Sequence, residues 1–440
     1  MERHDCCISV KPDNPAIIKN DSLCVECGHC LAACDENTGV NGYVCINCGQ
    51  CSAACPEQAI TVKSEIEQVK KALADPSKVV IFSTSPSVRV GIGDEFLDKA
   101  GVYSEGKMVA ALKALGADYV FDVTFSADLT IIEEGCELLS RILTASGPLP
   151  QFTSCCPAWV KYVENFYPEK IPHLSTAKSP IGMQGATIKT YFAAKAGLNP
   201  LSIVTVNVTP CTAKKAEIRR SELNDAGELL GRPDIRDNDF VITTKELARW
   251  MKDEHIDFES LQDVPFDSIL GKGSGAGVIF GNTGGVMEAA LRMAYQSLTG
   301  EKAPDILLHF EDVRGMNGIK DASLKIGDSI IRVAVIYGTA NAAKFLEGDI
   351  SDYHFVEVMT CPGGCISGAG QPQMHTIPVT DDIRKSRIKS MYSEDESMTL
   401  RNSADNPEIA RVYREFYGKP LSELSHRLLH TSYNDGLRED

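Results

Sequence analysis

Twelve of the chain's 16 cysteines fall into two sets, and the tighter set dictates how its segment can fold. Cys24-x-x-Cys27-x-x-Cys30-x-x-x-Cys34 recurs as Cys45-x-x-Cys48-x-x-Cys51-x-x-x-Cys55, followed by Pro56. Residues 21–63 carry too few apolar side chains for a core of ordinary size, so metal clusters must hold the segment together. Runs with this spacing bind two 4Fe–4S clusters, and the fourth cysteine of each run crosses to the other cluster. One cluster is therefore expected on Cys24, Cys27, Cys30 and Cys55, and the other on Cys45, Cys48, Cys51 and Cys34. Zinc also takes C-x-x-C pairs, but it does not ask for four-cysteine runs with this third spacing.

The second set is scattered: Cys156 in TSCCPAW, Cys211 in TPCTAKKAE, and Cys361 with Cys365 in MTCPGGC. Each follows an expected strand, and Pro, Gly or a helix start follows the cysteine. A helix N-terminus favours thiolate, and glycines let backbone approach a large inorganic body. Core packing explains any one of these cysteines, but not the three patterns together. The first set reads as an electron wire and the second as a buried iron–sulfur centre at its end.

The rest of the chain is ordinary for a globular enzyme. It has 440 residues, 43% apolar and 24% charged, enough for two or three domains. The net charge of −16 argues against nucleic acid as a partner. No apolar run is long enough to span a bilayer, so membrane insertion is not expected. The opening MERHDCCISVKPDNP lacks the apolar stretch of a secretory signal, and cysteine pairs in such a chain indicate metal rather than disulfides; a cytoplasmic location is expected. Residues 65–74 read as a helix ended by Asp75-Pro76. From 79–85 onward, strands at 119–123, 202–210, 331–338 and 354–359 alternate with helices at 129–142, after Pro157, near 245–252 and from Val286. This predicts an α/β fold with mostly parallel sheets, preceded by a small α+β ferredoxin domain. The expected divisions are 1–75, 76–375 and 376–440. The last stretch, charged and helical, is expected to wrap the outside.

The signature runs resemble those of the FeFe-hydrogenases. The family's TSCCPxW stands here as Thr153–Trp159, its PCxxKKxE as Pro210–Glu217, its MxCxGGC as Met359–Cys365, and its GQP as Gly370–Pro372. The likeness runs on through 121–134, 174–180, 274–292 and 313–320. The layout is that of a short form, with two 4Fe–4S clusters ahead of the catalytic domain and a tail resembling the hydrogenase small subunit. The resemblance implies an H-cluster. Cys156, Cys211, Cys361 and Cys365 would hold its 4Fe–4S cubane, and Cys365 would bridge to a two-iron unit bearing CO, cyanide and an azadithiolate. Maturation proteins would deliver that unit. Lys214 would face a cyanide, Pro86 and Ser87 would line the dithiolate, and Met359 would pack over the diiron unit. Protons would pass through Cys155, then Glu134, Ser175 and Glu137. The sequence supports that relay independently: Glu134 and Glu137 share one helix face within an apolar stretch, where a buried carboxyl has a raised pKa.

Two positions depart from the best-known members: Thr209 replaces a Met, and Ile181 replaces a Gln. Both are expected near the diiron ligands, and together with the Ala of TSCCPAW they resemble the family's group B branch. The implied reaction is 2H⁺ + 2e⁻ ⇌ H2, with electrons exchanged with a soluble ferredoxin-like carrier. The rival expectations are an H2-sensing hydrogenase, a subunit of an electron-bifurcating complex, and an iron–sulfur assembly factor that lacks hydrogen chemistry. Cys136 is expected to pack in the core and His29 to lie at the surface; Cys6 and Cys7 read as a loose terminus, with a redox-sensitive or metal-binding end as the alternative. The glycine run 271–285 lacks nucleotide-loop spacing and is expected to pack close beneath the cluster.

Overall fold

The computed structural model describes residues 7–38, 44–326 and 329–434, so Cys6 lies outside the described residues. The N-terminal segment pairs β1 (Ile17–Lys19) antiparallel with β2 (Ile60–Val62), Ile17 opposite Val62. Helices His29–Thr38 and Gln50–Ala54 carry part of the two cysteine runs. The apolar core here is small: Ile8, Ala16, Ile17 and Ile60, joined by Cys30 and Cys51 themselves. That fits a segment whose cohesion comes from its clusters.

Two four-stranded sheets build the larger region. The first has β3 (Val79–Thr84), β4 (Tyr119–Asp122), β6 (Ile203–Thr209) and β7 (Phe240–Thr243), in the order β4-β3-β6-β7 and wholly parallel. Its centre is VVIFST, a β-branched run buried almost throughout, as strands covered on both faces require. The second sheet has β5 (Gln151–Phe152), β8 (Ile319–Ile326), β9 (Ser329–Tyr337) and β10 (Phe355–Met359), in the order β5-β10-β9-β8. Only β8 runs antiparallel to its neighbour, and its side chains largely alternate between exposed and buried.

One core joins the sheets. Ile81 and Phe121 of the first sheet, and Val333 and Phe355 of the second, belong to the same apolar cluster as Leu129 and Ile131 of helix Val123–Thr144 and Met287 and Leu291 of helix Gly285–Thr299. Helix Val123–Thr144 begins six residues before its expected start. The reason is Asp122, whose carboxylate caps the helix by accepting from Thr124 N at 2.9 Å while also holding buried Arg89 at 2.6 Å. The β-branched and aromatic residues after Asp122 hid this cap.

The C-terminal stretch is anchored to the body by a few buried charges and aromatic residues. Its helix Asp381–Ser397 buries Arg387, which grips Asp94 at 2.7 Å, and Asp395, which holds Arg292 at 2.8 Å. Tyr413 donates to buried Glu133, and His430 Nε2 lies 3.1 Å from the same carboxylate. Arg387 and Asp395 are thus spent on internal pairs that tie the stretch to the body, while Asp381, Asp382, Lys385, Lys389 and Glu396 stay exposed.

Candidate active site

The scattered cysteines meet because parallel strands end on one side. Cys155 and Cys156 follow β5, and Cys156 is the N-cap of helix Pro157–Phe166. Cys211 follows β6, its N–H donating to Thr209 Oγ1 at 3.2 Å. Cys361 and Cys365 follow β10, and Pro86 and Ser87 follow β3. The carboxyl ends of parallel strands are where open α/β sheets place their sites.

In the MTCPGGC loop, Gly363 and Gly364 take φ of 78° and 99°. A Cβ on Gly364 would fall 2.5 Å from the backbone nitrogen of Thr283, so only glycine lets this loop lie against the run 271–285. Thr283 N–H donates to Gly363 O at 3.0 Å, and Asn282 bridges to Gly364. The glycine run is thus a support for the cysteine loop, as expected.

The four thiols face one another. Burial, and then the charge of Cys156, push the Cys211 thiol up to about 12. Burial also raises Cys365, followed by the charges of Cys211 and Cys156. Cys361 rises by burial, then through Cys211, Cys156 and Cys365. Four soft donors in one enclosed space shed their protons together only to a strongly cationic centre, and thiolates are the iron–sulfur donor set. Around them Ser87 Oγ, Asn282 Oδ1 and Thr283 Oγ1 are buried with no hydrogen-bond partner, which suits a group that brings polar ligands of its own. The residues therefore fit the H-cluster.

The paired runs separate into two further sets. Cys24, Cys27, Cys30 and Cys55 line one cavity with ≈ 310 Å³ of open space. Cys51 rises by burial and then through the charges of Cys48, Cys45 and Cys34. Each set contains the crossed fourth cysteine that the spacing demands. The second set also touches the catalytic loops. After burial, a bond from Gln50 N–H and its own neighbours, Cys48 responds to Cys211. Gln50 Nε2 donates to Cys361 Sγ at 3.4 Å, and Thr212 Oγ1 donates to Asn47 O at 3.0 Å. The thiol sets follow one another from the outer cavity, through the Cys34/45/48/51 set, to the scattered four.

A line of proton-bearing groups reaches the same space. Cys155 is only partly accessible; burial raises its thiol, Glu134, Cys365 and Cys156 add to the rise, and Lys214 opposes it. Glu134 is wholly buried, and neither of its oxygens makes a full hydrogen bond, with Ser154 N–H and the Ser175 hydroxyl as its nearby donors. Burial, then the charge of Glu137, pushes its carboxyl up to about 8, against the pull of Ser154 N–H and the Ser175 hydroxyl. Ser175 Oγ donates to Glu137 Oε2 at 2.7 Å, and Glu137 Oε1 accepts from Arg141 at 2.6 Å. Lys214 Nζ donates to Cys155 O at 3.1 Å and pairs with Glu217 at 2.7 Å. A cleft with ≈ 380 Å³ of open space, lined by Ser154, Lys178, Glu217 and Arg220 among others, opens beside Cys155.

The remaining expected residues are all buried. Met359 ends β10, Thr209 ends β6, and Ser87 O accepts from Gln371 Nε2 at 2.8 Å. Ile181 packs with Val123, Ile218 and Val241 in a small apolar cluster, and Ile218 stands four residues along the chain from Lys214. Cys136 packs against the main core, and His29 is exposed. Sequence reasoning missed Arg141, Gln50 and Tyr433, whose hydroxyl donates to Ser175 O at 2.6 Å. Arg141 stands four residues after Glu137, a spacing that could have revealed it; Gln50 and Tyr433 left no such signal.

Known proteins share this arrangement. The profile "Iron only hydrogenase large subunit, C-terminal domain" matches residues 78–369, "Iron hydrogenase small subunit" matches 381–436, and "4Fe-4S binding domain" matches 40–61. The "NADP-reducing hydrogenase subunit HndD" of Solidesulfovibrio fructosivorans is 44% identical over 94% of this chain and 66% of its own length. "Iron hydrogenase 1" of Clostridium pasteurianum is 42% identical over 93% of this chain and 74% of its own. This chain thus spans about two thirds and three quarters of these two relatives. The solved structure of an apo FeFe-hydrogenase HydA1 variant from Chlamydomonas reinhardtii superposes with a TM-score of 0.74 at 39% identity, covering 85% of this chain and 100% of the other. The "Cytosolic iron-sulfur assembly component 3" of Bos taurus is more distant, 30% identical over 83% of this chain. With 42–44% identity to named hydrogenases, the same fold, and a thiol set fit for their cluster, the chain belongs to the iron-only (FeFe) hydrogenase family.

Proposed function

We propose that this chain catalyses 2H⁺ + 2e⁻ ⇌ H2 with the residues assembled above. The observation that carries the reading is the meeting of four part-buried thiols with Cys155 and the wholly buried carboxyl of Glu134, whose charge acts on the Cys155 thiol. An iron–sulfur scaffold has no use for a buried carboxyl held up near neutrality beside a cysteine; a proton relay does. When bound, the H-cluster supplies the redox-active iron at which protons and electrons combine into H2 or H2 is split.

Cys156, Cys211, Cys361 and Cys365 would hold the cubane, and Cys365 would also serve the diiron unit. Cys155 holds a proton at Sγ beside that unit. Glu134 accepts or returns it across a short gap, being neutral below about pH 8 and ionised above. The Ser175 hydroxyl, already hydrogen-bonded to Glu137, turns between the two carboxyls, and Arg141 keeps Glu137 in place. Lys214, fixed by Cys155 O and Glu217, places a cation where an anionic ligand is expected. Pro86, Ser87 and Met359 wall the space, and Thr209 and Ile181 make that wall less polarisable and less polar than in the best-known members, which shifts the metal's electronics.

Loaded clusters at the outer cavity and on Cys34, Cys45, Cys48 and Cys51 would supply an electron path towards the scattered four, and Gln50, which touches Cys361, would link the two regions. A soluble ferredoxin-like carrier in the cytoplasm is the proposed partner, and maturation proteins are the proposed source of the diiron unit. No helix among the described residues is long and apolar enough to cross a membrane. A second reading, a subunit that hands electrons to partner chains, is favoured by the relative named as a subunit of an NADP-reducing hydrogenase.

The test is H2 evolution from a reduced dye by anaerobically matured protein. Cys155→Ala should keep the iron content and lose at least ~100-fold in turnover, the scale of one lost acid–base step. Parent-like rates in that variant would sink the relay.

A further inference from the structure

The cavity at the outer end of the wire is lined by five thiols: Cys7 stands with Cys24, Cys27, Cys30 and Cys55. Cys7 Sγ lies 4.0 Å from Cys24 Sγ, and Lys19 Nζ lies 3.8 Å from Cys7 Sγ. The sulfur separation is about twice a disulfide bond, so the two cysteines are not cross-linked. Side chains two apart in a strand share a face, so β1 sends Lys19 to the same side as buried Ile17. The Lys19 side chain is only 16% exposed, whereas its carboxylate partner Asp21 is 85% exposed. Lys19 Nζ pairs with Asp21 at 2.9 Å and also reaches Cys7, so the ammonium stands between that exposed carboxylate and the thiolates a loaded cluster would carry.

We propose that Cys7 is a positioning residue of the outer cluster that does not ligate iron: it donates its S–H to the Cys24 thiolate, with the Lys19 ammonium behind it, and so raises the cluster's reduction potential. Reduction adds negative charge to the cubane and its thiolates. A donor and a cation beside one of those sulfurs favour the reduced form over the oxidised one. With this cluster at the outer end of that path, the pair sets how readily a low-potential carrier can load the wire. The inference rests on the assignment of Cys24, Cys27, Cys30 and Cys55 as ligands.

The experiment is a redox titration followed by electron paramagnetic resonance, with iron counted, on the full chain and on Cys7→Ala, Cys7→Ser and Lys19→Met. The signal of the outer cluster is identified as the one that Cys27→Ala removes. All three variants should retain the parent's iron. The outer cluster's midpoint should move to more negative potential in Cys7→Ala and Lys19→Met and stay near the parent in Cys7→Ser, which keeps a donor. An unmoved midpoint in Cys7→Ala, or equal shifts in the Ala and Ser variants, would overturn the role of Cys7 and leave the ligand assignment standing. Loss of a cluster's iron from Cys7→Ala, with Cys24→Ala retaining it, would overturn the assignment itself and the proposal with it.

Discussion

The wire and the catalytic body are held together by opposite means. Among the described residues, 7–63 bury six aliphatic side chains, only four of them in the segment's own cluster, and fold around cysteines. The body from Val79 onward buries an apolar core that joins two sheets, and adds ion pairs such as Arg292 with Glu288 and Asp395, all wholly buried. Metal therefore contributes most of the stability of the first region and little of the fold of the second. In the body, metal is required for chemistry rather than for folding.

The comparison is broken most directly by removing iron. A chelator under anaerobic conditions should abolish slow amide exchange throughout the β1–β2 segment while the strands of both larger sheets stay protected. Equal loss of protection in both regions would show that the body, too, is organised by its cluster. Next in size is Asp395→Ala, which leaves the buried guanidinium of Arg292 with Glu288 as its one remaining carboxylate and deprives Arg401 of its partner. It should cost ~3–5 kcal/mol of the body's stability in thermal unfolding and leave the wire's clusters spectroscopically intact.

Glu134→Gln sharpens the comparison inside the body. A carboxyl at about 8 in the fold, against an ordinary carboxyl in the unfolded chain, carries no penalty below about pH 4. The penalty then grows as the unfolded chain ionises, and it is complete above about pH 8. The variant should match the parent's stability near pH 4 and exceed it by roughly 1–4 kcal/mol near pH 9, while losing most of its turnover. A stability difference independent of pH would mean that Glu134 is not neutral in the fold. The smallest expected effect is that of Gln50→Leu: a several-fold slower reduction of the cubane in single-turnover mixing, with unchanged stability.

The sequence made the chemistry more legible than the architecture. Cysteine spacing is a local property, so the two cluster sets and their crossed fourth members could be read directly, and the signature loops brought Cys155, Lys214 and Met359 with them. Strand centres such as VVIFST were equally plain. The pairing of β10 with both β5 and β9 was not visible, because partners so far apart in the chain leave no periodic mark. The anchors of the C-terminal stretch were hidden for a related reason: Arg387 and Asp395 look solvated until Asp94 and Arg292 are placed beside them. Glu134 showed its helix face in the sequence, but its complete burial and weakly satisfied oxygens emerged only in the fold.

The central claim is that the four scattered cysteines hold an H-cluster able to react with hydrogen. An infrared spectrum of protein matured and purified without oxygen, recorded before and after exposure to H2, tests it most directly. The account predicts CO and cyanide stretches that shift under H2, and that are absent when Cys365 is replaced by Ala. A fully matured protein with intact 4Fe–4S clusters and no such bands would contradict it and leave an iron–sulfur protein without hydrogen chemistry.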